Sequence, residues 1–206
     1  MPSARSRAVR GGLALAALAL LGLGTTPSAS AASTAPAQPS APAAAEGLVG
    51  VYNIRAVHSG KCLGPAGNST GEGVGIHQQP CDGRPSQRVG LWSYGEHKGT
   101  AYYAFVTDSG KCWGESSWFW GMPVRDLVIR TTTCDRLGKS LAYSLNGEHP
   151  WAGKQIRTFV DPPTNNGPLC LHVHNAGTGD GVGMITHPCS NPGTGARNDT
   201  FEFIPV

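Results

Sequence analysis

The sequence predicts an all-β domain built from three copies of one four-strand unit. Six cysteines fall into three successive pairs, Cys62/Cys81, Cys112/Cys134 and Cys170/Cys189, separated by 19, 22 and 19 residues. The residues around each pair repeat as well, and a repeat constrains fold class through many positions at once. Beyond the N-terminal leader, no stretch shows the 3.6-residue apolar period of an amphipathic helix, so helices should be rare. The 29 glycines and 16 prolines instead punctuate short apolar runs, as turns between strands require.

Each copy reads as four strands. The first is β-prone and apolar: Val51 to Val57, Tyr102 to Thr107 and Ile156 to Val160. Ser59-Gly60-Lys61 and Ser109-Gly110-Lys111 turn the chain into a second strand at the first cysteine, with Pro162 to Pro168 as a longer version. The third strand runs toward the second cysteine: Val74 to Gln79, Leu127 to Thr132 and Val182 to Thr186. Val89 to Ser93, Ser140 to Leu145 and Thr200 to Ile204 form the fourth. Copies one and three align without a gap: Thr70-Gly71-Glu72-Gly73-Val74-Gly75 matches Thr178-Gly179-Asp180-Gly181-Val182-Gly183. Copy two shares the entry side and then diverges, with Trp118-Phe119-Trp120 in place of the Gly-rich turn.

Residues 1–31 read as an export leader. Arg5, Arg7 and Arg10 precede the 12-residue apolar run Leu13 to Gly24, and Ala29-Ser30-Ala31 supplies small residues for cleavage. A run that short does not span a bilayer, where about 20 residues are needed. Residues 32–47, rich in Ala, Pro, Ser and Thr, read as a disordered tether. The folded domain is expected over residues 48–206, with copies at about 48–98, 99–153 and 154–206. Three of the 16 basic residues lie in the leader and none of the 13 acidic ones does, so the rest balances at 13 of each. Nucleic-acid binding ordinarily needs a basic excess, which is absent, and Arg84, Arg88, Arg125 and Arg130 read as solvated positions. The expected product is exported, monomeric and without nucleic-acid or membrane partners.

An even cysteine count in an exported chain points to disulfides. Six cysteines allow 15 pairings, and spacing alone does not choose among them. The repeat does: if the copies share a geometry, each closes its own bridge, Cys62–Cys81, Cys112–Cys134 and Cys170–Cys189. No CxxC pair favours a metal instead. His172-Val173-His174 has a spacing that can hold zinc but lacks an identifiable third ligand, so neither metal nor cofactor is expected.

Three four-strand copies with Cys-Leu at Cys62-Leu63 and Cys170-Leu171, Gly-rich turns, Pro-Cys at Pro80-Cys81 and Pro188-Cys189, and Gln87 after the second cysteine resemble the ricin-B-type lectin family. The resemblance spans about Leu48 to Val206 and implies a β-trefoil. It also implies where sugar groups should be: a carboxylate after the first cysteine, a ring before the second, and an amide beyond. Copy one has Gly64 and Gln79 at the first two positions, with Gln87 and His77 as polar remnants. Copy two has Gly114 and Thr132, and copy three has His172 and His187 followed by Asn198. No copy carries the carboxylate. Asp82, Glu115 and Asp180 fall in other registers and read as solvated turn residues.

Copy three is the least degraded candidate, since His187 can stack or hydrogen-bond and Asn198 both donates and accepts. Trp118 and Trp120, in a run of three aromatics that one pleat cannot bury, are the other ligand-binding candidates. There is no GxSxG, no HExxH and no phosphate loop leading into a helix, so no catalytic residue is expected. The leader and tether look bacterial, and the sequons Asn68-Ser69-Thr70 and Asn198-Asp199-Thr200 read as accidental. The reading is a non-enzymatic carbohydrate-binding module. The alternative is a protein-binding trefoil, such as an inhibitor of a secreted hydrolase acting through the Trp118–Trp120 or Pro162–Pro168 loop.

Overall fold

Alternating burial along the strands of the computed structural model shows one face of each turned into a common core. The model describes residues 47–116, 125–134, 141–146, 153–159, 168–190 and 197–206. The leader, the tether up to residue 46, Trp118, Phe119, Trp120 and residues 162–167 lie outside them.

The strands are β1 (Gly47–Ala56), β2 (Cys62–Pro65), β3 (Ile76–Gln79), β4 (Arg88–His97), β5 (Thr100–Thr107), β6 (Cys112–Glu115), β7 (Ile129–Thr132), β8 (Tyr143–Asn146), β9 (Gln155–Thr158), β10 (Leu169–Val173), β11 (Met184–Pro188) and β12 (Phe201–Pro205). No α-helix occurs among the described residues; short 3-10 turns stand at Ala66–Asn68, Pro85–Gln87 and His174–Ala176. The four-strand units are therefore present, each core strand lying within a residue or a few of its sequence-predicted limits.

The first and fourth strands of every copy form an antiparallel barrel in the order β12-β1-β4-β5-β8-β9. A bridge between Lys154 and Phe201 joins the β9 side back to β12, which closes the barrel among the described residues. The hairpins β2/β3, β6/β7 and β10/β11 cap one end. Single bridges Gly75–Arg130, Val128–Ile185 and His77–Gly183 link each hairpin to the next, so the cap closes around a pseudo-threefold axis. This is a β-trefoil.

Equivalent positions fill the core in layers. Ile54, Phe105 and Ile156 form one layer, Leu63, Trp113 and Leu171 a second, and Ile76, Ile129 and Met184 a third, all fully buried. In copy two larger residues occupy two layers, where Phe105 stacks on Trp113 at 5.4 Å and meets Tyr143 edge-on at 5.5 Å. The disulfides Cys62–Cys81, Cys112–Cys134 and Cys170–Cys189 all form, with Cα separations of 4.9, 5.1 and 4.9 Å. Loops of this length are each restrained by about 3 kcal/mol through the unfolded chain.

The cap is held by a buried polar residue repeated three times. Thr131 of copy two latches the Gly-rich turn of copy one, donating from Oγ1 to Gly71 O (2.8 Å) and accepting from Val74 N (2.9 Å). Gln78 of copy one latches copy three, donating to Gly177 O (2.8 Å) and Gly179 O (2.7 Å) while accepting from Ser59 Oγ (2.8 Å). Thr186 of copy three latches copy two, its Oγ1 accepting from Leu127 N (3.1 Å). The main chain follows the same rule: Gly73, Asp126 and Gly181 donate to the carbonyls of Thr131, Thr186 and Gln78 at 2.7, 2.6 and 2.9 Å. These three residues are thus equivalent, and all have positive φ of 76°, 63° and 78°.

Candidate functional site

The latch decides what stands beside His187. Glycine suits a positive-φ turn because it has no Cβ, but copy two places Asp126 there, one of the few other residue types that tolerate the conformation. Thr186 holds the Asp126 main chain, and His187 is the next residue along β11. The imidazole therefore meets the carboxylate, with His187 Nδ1 donating to Asp126 Oδ1 at 3.0 Å. Both side chains face solvent, at 40 % and 65 % exposure. Copy three has His172 where a carboxylate is expected after its first cysteine, and copy two supplies a carboxylate across the seam.

The two residues line a cleft of about 590 Å³ together with His172, His174, Ser190 and Asn198. His172 forms the floor and is nearly fully buried, its ring edge-on to His187 at 5.3 Å. Its Nε2 lies 3.1 Å from Pro188 O, and since a carbonyl only accepts, that nitrogen carries the proton. Burial pushes the His172 imidazole below the ordinary histidine range, opposed by the Asp199 carboxylate 3.8 Å away. Asp199 is itself buried and accepts from Gln155 Nε2 (2.7 Å) and Ser190 N (2.8 Å). Asn198 is half-buried and anchored by donation to Val173 O at 2.8 Å. The structure thus brings His172, His187 and Asn198 together and adds Asp126 and, behind the floor, Asp199. Asp126 is legible in the sequence only once Arg125-Asp126-Leu127 is set on Glu72-Gly73-Val74.

The other candidates go elsewhere. Gln87 is not a surface amide: it is fully buried, donating to Pro80 O (2.6 Å) and accepting from Asp82 N (3.2 Å) to brace the turn after Cys81. Gly64 stands where a carboxylate is expected because a Cβ there would lie 2.8 Å from Ser86 O, so the Pro85–Gln87 turn leaves no room for a side chain. The His77 ring packs over Gly75 and Gly183 at the seam between copies one and three, and burial lowers its pKa. Trp118 and Trp120 lie outside the described residues.

Two expectations of solvated residues need correction. Glu115 ends β6 half-buried, and burial pushes its carboxyl up to about 7; after burial itself, Glu115 also holds the Tyr143 phenol above its ordinary range. Arg88 is mostly buried and pairs with Asp108 at 3.2 Å. Asp82 and Asp180 do lie in exposed turns, paired with Arg84 and Lys61. Among the described residues no group of three or more His, Cys, Asp or Glu is placed to hold a metal ion.

Residues 42–117 match the family model described as a ricin-type β-trefoil lectin domain-like family. No curated protein matches the chain at a significant level. Among solved structures the chain is similar to a designed threefold-symmetric protein, ThreeFoil, with TM-score 0.61, 21 % identity, and 76 % of this chain and 99 % of that one covered. It is also similar to the Rhizoctonia solani agglutinin, with TM-score 0.57, 16 % identity, and 76 % and 95 % covered. An exo-β-1,3-galactanase from Clostridium thermocellum matches with TM-score 0.60 and 19 % identity, over 77 % of this chain and only 30 % of the enzyme.

Proposed function

We propose that this chain, whose residues 42–117 match a ricin-type β-trefoil lectin domain-like family model, is an exported, monomeric, non-enzymatic carbohydrate-binding module that takes a sugar residue in the copy-three cleft. The observation that carries this reading is the Asp126–His187 pair beside Asn198. Asp126 Oδ1 accepts from His187, and Oδ2 is left to accept from sugar hydroxyls. With Nδ1 committed to Asp126, His187 turns Nε2 and a ring face to the cleft, and Asn198 adds an amide. Carboxylate, ring and amide are the groups that hold a pyranose in a shallow wet site. The same fold in an agglutinin and in part of a galactanase favours a sugar ligand.

The test is a glycan array with pull-down on insoluble polysaccharides, using wild type, Asp126→Ala and His187→Ala. Wild type should bind at least one glycan, and each substitution should weaken that binding about tenfold or more, the equivalent of about 1.4 kcal/mol for a lost charge-assisted contact. Absence of binding above background, or binding that both variants retain, overturns the reading. Inhibition of a panel of secreted proteases, without sugar binding, would instead favour the protein-binding alternative.

A further inference from the structure

Arg55 and Arg157 occupy the same place in copies one and three. Arg55 lies opposite Cys62 on β2 and opposite Glu202 on the preceding copy's fourth strand, β12. Arg157 lies opposite Cys170 on β10 and opposite Ser144 on β8, which is again the preceding copy's fourth strand. The guanidinium of Arg55 has its acid, with Nε donating to Glu202 Oε2 at 2.8 Å and NH2 at 2.5 Å. In copy three the acid is replaced by serine. Arg157 Nε is buried without a hydrogen-bond partner, and Arg157 makes no ion pair among the described residues. Arg157 is half-buried, and where its copy-one counterpart holds an acid it has none among the described residues, so an anion would complete it.

What surrounds Arg157 is shaped for a ligand. It lines a cavity of about 590 Å³ on the barrel wall, within the range of small-molecule sites. The walls include Lys154 on the approach to β9, Ser144 and Asn146 of β8, and Thr100 and Tyr103 of β5. Among the described residues no acidic side chain lines it. It shares no lining residue with the copy-three cleft, so this site does not rest on the reading proposed above.

We propose that this cavity binds a carboxylate-bearing sugar, a uronic acid residue of an acidic polysaccharide. The planar guanidinium fork matches the two oxygens of a carboxylate. Ser144, Thr100 and Asn146 offer donors and acceptors to ring hydroxyls, while Tyr103 offers an aromatic face. The ligand carboxylate takes the terminal nitrogens of the Arg157 guanidinium, as Glu202 takes the NH2 group of Arg55.

The test is calorimetric titration of the full chain with trigalacturonic acid, its methyl ester and acetate. The acid should bind at least tenfold more tightly than the ester or acetate. Arg157→Gln should abolish that preference, Arg157→Lys should restore part of it, and His187→Ala should leave it intact. Ser144→Glu should also abolish binding, because the introduced carboxylate takes the guanidinium as Glu202 does in copy one. Equal binding of acid and ester, or no binding of either, overturns the proposal. So does acetate binding as tightly as the trimer, or Arg157→Gln retaining the preference.

Discussion

Replacing Gln78 by alanine isolates the energy of the latch between copies one and three. The side chain is fully buried and makes three hydrogen bonds, to Ser59 Oγ, Gly177 O and Gly179 O at 2.8, 2.8 and 2.7 Å. At about 1 kcal/mol each, their loss costs about 3 kcal/mol. Stranded polar groups add to that, and about 1–2 kcal/mol of side-chain entropy no longer lost on folding subtracts from it. For a domain of this size about 3 kcal/mol lowers Tm by about 6–12 °C. The control is the neighbouring Gln79→Ala: Gln79 is half-buried and donates only to the carbonyls of Gly64 (3.4 Å) and Pro65 (3.0 Å), so its loss should cost about 1 kcal/mol or less. Thermal and urea unfolding followed by circular dichroism read the difference. Hydrogen exchange should show the Gly181 amide losing protection in Gln78→Ala while the Gly73 amide, held by Thr131 O, keeps it. A Gln78→Ala protein within 1 kcal/mol of wild type, or equal loss of protection at both amides, would refute the reasoning.

Three further outcomes are expected. The Glu115 carboxyl is raised from 4.5 to about 7, so the folded state holds a proton that the unfolded state releases between those values; stability therefore falls as pH rises through that window, by up to about 3 kcal/mol. Glu115→Gln should flatten that slope in unfolding curves between pH 4.5 and 8, and an unchanged slope would contradict it. Asp126→Gly should leave Tm within about 4 °C of wild type, because relief of left-handed strain and the greater freedom of unfolded glycine, each about 1 kcal/mol, nearly cancel, while glycan binding falls; a large loss of stability would show that the carboxylate is structural. Intact mass of the exported protein should lie six hydrogens below that of the reduced chain, and Cys170→Ser with Cys189→Ser should cost about 3 kcal/mol in urea unfolding.

The barrel and its bridges are legible in the sequence because cysteines, glycines and apolar pairs recur at fixed intervals, and local spacing determines local geometry. The site is less legible because its chemistry crosses between copies. Asp126 lies in the copy whose turn departs from the Gly-x-Gly pattern of the others, and the hydrogen bond to Thr186 O reveals its equivalence to Gly73 and Gly181. Gln87 is the reverse case: its type and spacing fit a ligand amide, but the Pro85–Gln87 turn directs it inward. Glu115 follows Trp113-Gly114 at a strand end, and nothing in the chain near it announces its burial or its influence on the Tyr143 phenol. Burial imposed by distant strands leaves no local mark.

The cap closes in a cycle: copy two grips copy one, copy three grips copy two, and copy one grips copy three. Cutting out any one copy therefore breaks two of the three seams, whereas moving the chain termini to a loop between copies breaks none. The repeated unit is therefore not the unit that holds together: each copy supplies the side chain or carbonyl that its neighbour's turn needs, so a change confined to one copy is felt in the next.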